Sequence, residues 1–271
     1  MRKERVRVLT AASLLVVALG LAAFAEPDSH PKVPNVVLVH GAWADGSSWA
    51  GVIQRLQKGG YHVTAVQLAL MSLDADAANV RNVLSMQNGP TLLVAHSIGG
   101  AVITKLGPTA PNVVGIVYES AFAPAEGESL KAILSQGPPP PGGAAIGKPD
   151  KQGLLWLDPA GFRQYFAPDV DAAQERVMAA VQKPLAASEF MSDEKFGPPT
   201  WRSFPTWYIV TEQDQMIPPD GQRLFAKRMG ATVSSLAASH VAMVSHPDEV
   251  AAIIMKAAQS GRTKMAANSV K

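Results

Sequence analysis

The sequence predicts a single domain of the α/β class: a mostly parallel central sheet, helices on both of its faces and an inserted, mainly helical cap. Three observations carry that expectation. Continuous apolar runs such as Val36-Val37-Leu38-Val39 and Leu92-Leu93-Val94 suit strands buried on both sides. Helical spacing alternates with these runs, the order that builds strand, helix and strand units. The alternation lapses across about residues 123–203, where Gly137-Pro138-Pro139-Pro140-Pro141-Gly142-Gly143 is rich in turn formers, and then resumes.

Taken in order, the first strand is expected at residues 35–39, followed by a loop over 40–47. Ser48 can cap a helix that runs to Lys58, where Gly59-Gly60 stops it and returns the chain to a strand at 63–66. Helical spacing over 72–86 ends at Asn88-Gly89-Pro90, and the next buried strand, 91–94, runs straight into Ala95-His96-Ser97-Ile98-Gly99-Gly100. A helix at 100–106 and a strand at 113–118 complete the first half. Short helical pieces at 159–166 and 169–181 are expected in the cap, with no parallel strand. Because sheet elements flank it on both sides, this stretch reads as an insertion within one domain spanning 35–260. The alternation returns with a strand at 206–210, a helix at 221–229, a strand at 232–236 and a final helix at 247–259. Residues 261–271 are small and polar and read as a flexible tail.

Met1-Arg2-Lys3-Glu4-Arg5-Val6-Arg7, an apolar run over 8–24 and Ala23-Phe24-Ala25 before Glu26-Pro27 have the layout of a secretory signal peptide covering residues 1–25. The run falls below the roughly 20 residues of a spanning helix, so a retained anchor is the weaker reading. Residues 26–34 form a Pro-punctuated linker. The expectation is an exported, periplasmic or secreted protein without stable membrane association after cleavage. With 47% apolar residues in 271, the chain can bury a substantial core. Lys and Arg number 24 against 22 Asp and Glu, which leaves no basic face suited to nucleic acid. The absence of cysteine excludes disulfides, a thiolate nucleophile and Cys-ligated zinc.

A serine hydroxyl is a poor nucleophile near neutral pH. It needs a base to take its proton and donors for the oxyanion. Ser97 lies where a buried strand turns sharply into a glycine-led helix, in the manner of the G-x-S-x-G elbow, with Ala95 in place of the first glycine. An isolated match of this kind would read as a helix N-cap serine; the flanking strand and helix favour a nucleophile. His40-Gly41-Ala42-Trp43 follows the first strand, where the backbone N–H of Ala42 would join that of Ile98 as the two oxyanion donors. His40 itself reads as a loop-organising residue.

The acid and the base should follow the serine in that order. Asp214, in Thr211-Glu212-Gln213-Asp214 just beyond a strand, can hold an imidazole in one tautomer. Glu212 is a near rival pointing away, and Glu119 is the alternative acid, at the end of another strand. His240, between the last strand and the last helix, is the expected base, and an imidazole, which ordinarily titrates at about pH 6 to 7, suits that task and implies loss of activity in acid. His246 begins the last helix, and His96 beside the serine reads as a packing residue. Of the aromatics, Trp43, Phe122 and Trp156 are candidates for a substrate pocket; Phe162, Tyr165 and Phe166 could equally be the cap's own packing.

With Ile217-Pro218 and Ser239-His240-Val241-Ala242-Met243 added, these motifs resemble plant methylesterases and hydroxynitrile lyases, and bacterial α/β-hydrolases of that branch, across most of residues 35–258. The resemblance implies the α/β-hydrolase fold, Ser97, Asp214 and His240 as a triad, no cofactor, no metal and a small-molecule ester as substrate. Lyases of the group usually carry threonine at the position of Ala42 and lysine at that of Val241, so the resemblance favours ester hydrolysis. A ligand-binding protein on a hydrolase scaffold and a cofactor-free perhydrolase are the alternatives left open.

Overall fold

The computed structural model describes residues 34–268, with side chains described to Ser260. The signal-peptide reading of residues 1–25 and the linker up to residue 33 lie outside the described residues, as do the last three positions. The chain begins with β1 (Asn35–Val39), a short 3-10 turn (Gly46–Trp49) and α1 (Ala50–Lys58). Then come β2 (His62–Val66), α2 (Leu73–Ser85), β3 (Thr91–His96), α3 (Gly99–Thr104) and β4 (Val113–Glu119). The α1 start departs from expectation: Ser48 does not cap it, because α1 begins at Ala50 directly after Trp49 with no side-chain cap, and it is the 3-10 turn before it that Asp45 caps, its carboxylate accepting from the N–H of Ser47. Ser48 sits inside the 3-10 turn, where its hydroxyl accepts from the Asp45 N–H instead.

The cap contains α4 (Leu130–Leu134), β5 (Leu154–Leu155), α5 (Pro159–Gly161), one wide π-type turn (Phe162–Phe166), α6 (Ala172–Val181), β6 (Leu185–Ala186) and α7 (Ala187–Phe190). β5 and β6 pair antiparallel, so the segment adds nothing to the main sheet. The core resumes with β7 (Thr206–Thr211), α8 (Pro219–Met229), β8 (Thr232–Leu236), the short α9 (Ala242–Ser245) and α10 (Pro247–Asn268). α10 runs on past the expected end near Gln259, and the sequence from 260 to 268 contains no proline to interrupt it.

The main sheet has the order β2-β1-β3-β4-β7-β8, and every pair in it is parallel. β1, β3, β4 and β7 are buried along their whole length, which is why their sequences read as unbroken apolar runs. The chain leaves β1 toward one edge to make β2, then crosses back to β3 and continues toward the other. Right-handed crossovers therefore place α1 on one face and α2, α3 and α8 on the other. α10 packs with α1 and against β3 and β4. The reversal occurs between β1 and β3, so the loops leaving their carboxyl ends diverge and open a crevice there. Ala42 and Ser97 lie on those two loops.

Candidate active site

Ser97 follows β3 in a left-handed backbone conformation, φ 54°, which costs a non-glycine residue about 1–3 kcal/mol. Its backbone is held on three sides. The N–H of Ser97 donates to the Glu119 carbonyl, and the Ser97 carbonyl accepts from the N–H groups of Gly100 and Phe122. Close approach also depends on glycine. A Cβ at Gly41 would stand 2.5 Å from the Ser97 Cβ, and one at Gly100 would stand 2.2 Å from the Phe122 carbonyl oxygen. Ala95, at the position where the elbow motif has glycine, is fully buried in β3 and pairs in register with Val39 and Tyr118. The methyl group is accommodated in the sheet without a bulge at that position.

His240 follows β8 by a short loop and reaches back over Ser97. Its Nε2 is 2.9 Å from the Ser97 Oγ, and its Nδ1 is 2.7 Å from the Asp214 Oδ2. The three side chains are nearly closed off from solvent. Asp214 Oδ1 accepts from the N–H groups of Met216 (2.7 Å) and Ile217 (3.0 Å). Oδ2 accepts from Gln222 Nε2 (2.8 Å) and Thr211 Oγ1 (3.2 Å). Donors on both oxygens stabilise a carboxylate, so the proton between the pair resides on His240 Nδ1 and leaves Nε2 free to accept from serine. Phe166 packs against the His240 ring at 5.4 Å between centroids.

The N–H groups of Ala42 and Ile98 are buried and, among the described residues, donate to no protein acceptor. The next amide along, that of Trp43, is tied to the Lys183 carbonyl at 2.9 Å. Ala42, Ile98, Ser97 and His240 share the lining of one cavity of about 80 Å³. Two residues with unused amides lining the same small cavity as the hydroxyl are what an oxyanion hole is built from.

The other polar candidates fall away from the proton path. Glu212 pairs with Arg223 at the surface. The Glu119 carboxyl accepts from the Met243 N–H at 2.8 Å and caps α9 instead of holding the base. Burial raises Glu119 to about 8, with the nearby Asp214 charge adding to the shift. It is therefore largely uncharged at neutral pH and does not compete with Asp214 for an imidazolium. His40 donates from Nδ1 to the Gly41 carbonyl (2.8 Å) and accepts at Nε2 from the Leu68 N–H (2.9 Å). Burial lowers it to about 4 and keeps it neutral in that loop-bridging role. His96 Nε2 donates to the His240 carbonyl (2.9 Å), and burial, then the neighbouring His240, holds it well below the ordinary imidazole range. His246 lies beside Ser245, 3.8 Å from Asp169.

Trp43 and Phe122 line the cavity; Trp156 does not. This corrects the expectation for Trp156, which is 41% exposed and donates its indole N–H to Asp150 across a turn of the cap. Phe162 and Phe166 are fully buried and pack on each other, with Phe166 also edge-on to Trp43. Residues that the sequence did not single out complete the site. Gln222 locks Asp214, and Asp169 accepts from the Ser239 N–H (2.8 Å) and from Ser245 Oγ (2.9 Å), fixing the loop that carries His240. Leu134, Phe190 and Met216 contribute apolar walls. None of these carries a local signal, since an aliphatic or polar residue in a cap or helix turn has the same appearance wherever it points.

A parallel sheet with crossover helices, and a Ser, His and Asp relay at its topological switch point beside two free amides, define the α/β class of hydrolase-type proteins. The chain belongs to the alpha/beta hydrolase family, whose model matches residues 36–253. It is 25% identical over 248 residues to a pyrethroid hydrolase of Sphingobium wenxiniae, covering 82% of this chain and 86% of that one. A carbendazim-hydrolysing esterase of Nocardioides sp. is 36% identical over 119 residues, which are 39% of this chain and span about half, 49%, of that protein. The solved structure of a pyrethroid hydrolase from Sphingobium faniae superposes with a TM-score of 0.72 at 24% identity, covering 84% of this chain and 98% of that one, a likeness of fold.

Proposed function

We propose that the protein is a serine esterase that cleaves small carboxylic esters through an acyl-enzyme on Ser97. The observation that carries this reading is the continuous hydrogen-bonded path from the Ser97 Oγ through His240 to Asp214, beside the unpaired N–H groups of Ala42 and Ile98. The similarity to a carbendazim-hydrolysing esterase and a pyrethroid hydrolase points the same way.

In the first half-reaction, His240 Nε2 takes the Ser97 proton as Oγ bonds to the ester carbonyl carbon, and the carbonyl oxygen becomes an oxyanion between the two amides. Each such donor is worth about 3–4 kcal/mol to the transition state. Collapse breaks the carbon–alkoxy bond, and His240 returns its proton to the leaving alkoxide. Water then attacks the acyl-enzyme with the same base, releasing the acid and restoring the serine. Asp214 keeps the imidazole oriented and balances its charge in both halves. Val241 is buried and aliphatic, and Ala42 has no hydroxyl, so neither supplies the polar groups by which lyases of the branch differ from its esterases.

The N-terminal layout supports export with cleavage after Ala25, giving a periplasmic or secreted enzyme. The catalytic reading is tested by turnover of p-nitrophenyl acetate. Wild-type protein should release p-nitrophenol and Ser97→Ala should not; equal release by both would overturn it.

A further inference from the structure

The cavity at Ser97 is too small to be the whole substrate site. At about 80 Å³ it lies well below the roughly 300 Å³ at which small-molecule pockets begin. A second, larger cavity of about 350 Å³ adjoins it. Phe122, Leu134, Pro140, Met216 and Ile217 line both, so the two are separated only by a shared partition of side chains. Met216 in that partition is unbranched, with the freest side chain of the five.

The larger cavity is a cleft between the cap and α8. Its floor is one stripe of α8, Gly221, Leu224, Phe225 and Arg228, at the spacing that puts residues on one helix face. Its roof is the end of α4 and the Pro-rich loop after it, which is fixed to the core by the Gly142 N–H donating to the Gln215 carbonyl at 2.8 Å. Leu224 is 64% exposed on the face of α8 that lines the cleft. Arg228 at the rim is paired with Glu128 and lies over the Phe225 ring, so it brings no free charge to the cleft. An apolar trough that abuts the reacting centre and is neutralised at its rim fits an uncharged hydrocarbon arm.

We propose that this cleft is a subsite for a long apolar arm of the ester, reached past Met216 while the carbonyl stays at Ser97. The assignment rests on Ser97 being the nucleophile. Each methylene that enters should raise kcat/KM by about fourfold. The structure offers a probe with little steric cost, because a Cβ at Gly221 meets nothing within 4 Å. Gly221→Trp would fill the trough, and Leu224→Glu would place a charge in it from an already exposed position.

The experiment measures kcat/KM for p-nitrophenyl alkanoates and n-alkyl acetates of rising chain length, with thermal unfolding as a check on folding. Binding of the non-hydrolysable p-nitrophenyl decyl ether is measured in parallel by calorimetry. Wild-type protein should prefer longer chains in at least one series and bind the ether. Either variant should lower the ratio of long-chain to short-chain kcat/KM at least tenfold and weaken ether binding to a similar degree. Unaltered ratios and ether affinity in both folded variants would overturn the subsite while leaving the esterase reading in place. Loss of the esterase reading, with wild-type and Ser97→Ala equally inert, would show separately, and ether binding would then still decide whether the cleft takes the arm.

Discussion

Asp214 carries more hydrogen bonds than its role toward His240 alone requires, and the surplus explains how a short loop can hold a carboxylate rigid. Gln222 is the centre of that support: its amide donates to Asp214 Oδ2 and to the Ile217 carbonyl, while its Oε1 accepts from the Thr211 N–H. Asp214→Asn should leave the fold intact and lower kcat by about 10⁴-fold, because an amide can donate to Nδ1 and so favours the wrong tautomer; steady-state kinetics on p-nitrophenyl acetate reads this. Gln222→Leu should act through Asp214 and reduce kcat more than it raises KM. It should also lower stability by about 1–3 kcal/mol in denaturant unfolding, since Thr211 N–H and Ile217 C=O lose a buried partner. Ser97, Asp214 and His240 could be placed from sequence because each sits at a fixed distance past a recognisable strand. Gln222 could not, since a glutamine in the first turns of a helix gives no sign of facing inward. Trp156 failed for a related reason: aromatic character reports the capacity to line a pocket, not the direction in which the ring points.

At the scale of elements, the strands were legible because burial on both faces leaves an apolar run with no polar alternation, and their ends fixed the site loops. The cap was legible only as an interruption. Its pieces are too short for periodicity to show a face, and the β5–β6 pairing of two residues per strand leaves no pattern to read. It also holds a feature with a pH consequence. Glu189 in α7 is buried, with neither carboxyl oxygen partnered among the described residues. Burial, with Asp76 nearby, raises it from 4.5 to about 8. The folded state therefore keeps this proton up to about pH 8, while the unfolded chain releases it near 4.5, so stability falls as pH rises through that window and levels off above it. Glu119 contributes with the same sign. His40, lowered from 6.5 to about 4, acts oppositely and only within those limits: the unfolded chain takes up the proton first, and stability falls as pH drops. Above pH 6.5 the carboxyls alone remain, so the wild-type Tm should decline between pH 6.5 and 8. Glu189→Met should raise Tm and make that decline shallower in scanning calorimetry; an equally steep decline would show that Glu189 is not the group responsible.

For the whole molecule, function depends on three stretches far apart in sequence meeting at one crevice, and sheet order brings them there. Reversal of direction between β1 and β3 opens the crevice, and the later strands β7 and β8 deliver Asp214 and His240 toward it from the side. The sequence predicted the ingredients of this convergence without the strand order, which follows only once crossover handedness is applied to the actual pairing. Stability is distributed in the same way. With no cysteine in the chain, the fold rests on packing, and among the described residues its buried apolar cluster runs from Val36 to Ala258 in α10. Because the sheet and the loops that carry the site run from β1 onward, a chain beginning at Glu26, the first residue after the proposed cleavage point, should fold with the same Tm as the full-length protein in the presence or absence of reductant. It should also hydrolyse p-nitrophenyl acetate with the same kcat/KM. Intact mass measurement of the exported product should give a first residue of Glu26. A product that keeps residues 1–25 and partitions with membranes would instead identify the apolar run as a retained anchor, with the same catalytic domain displayed beyond it.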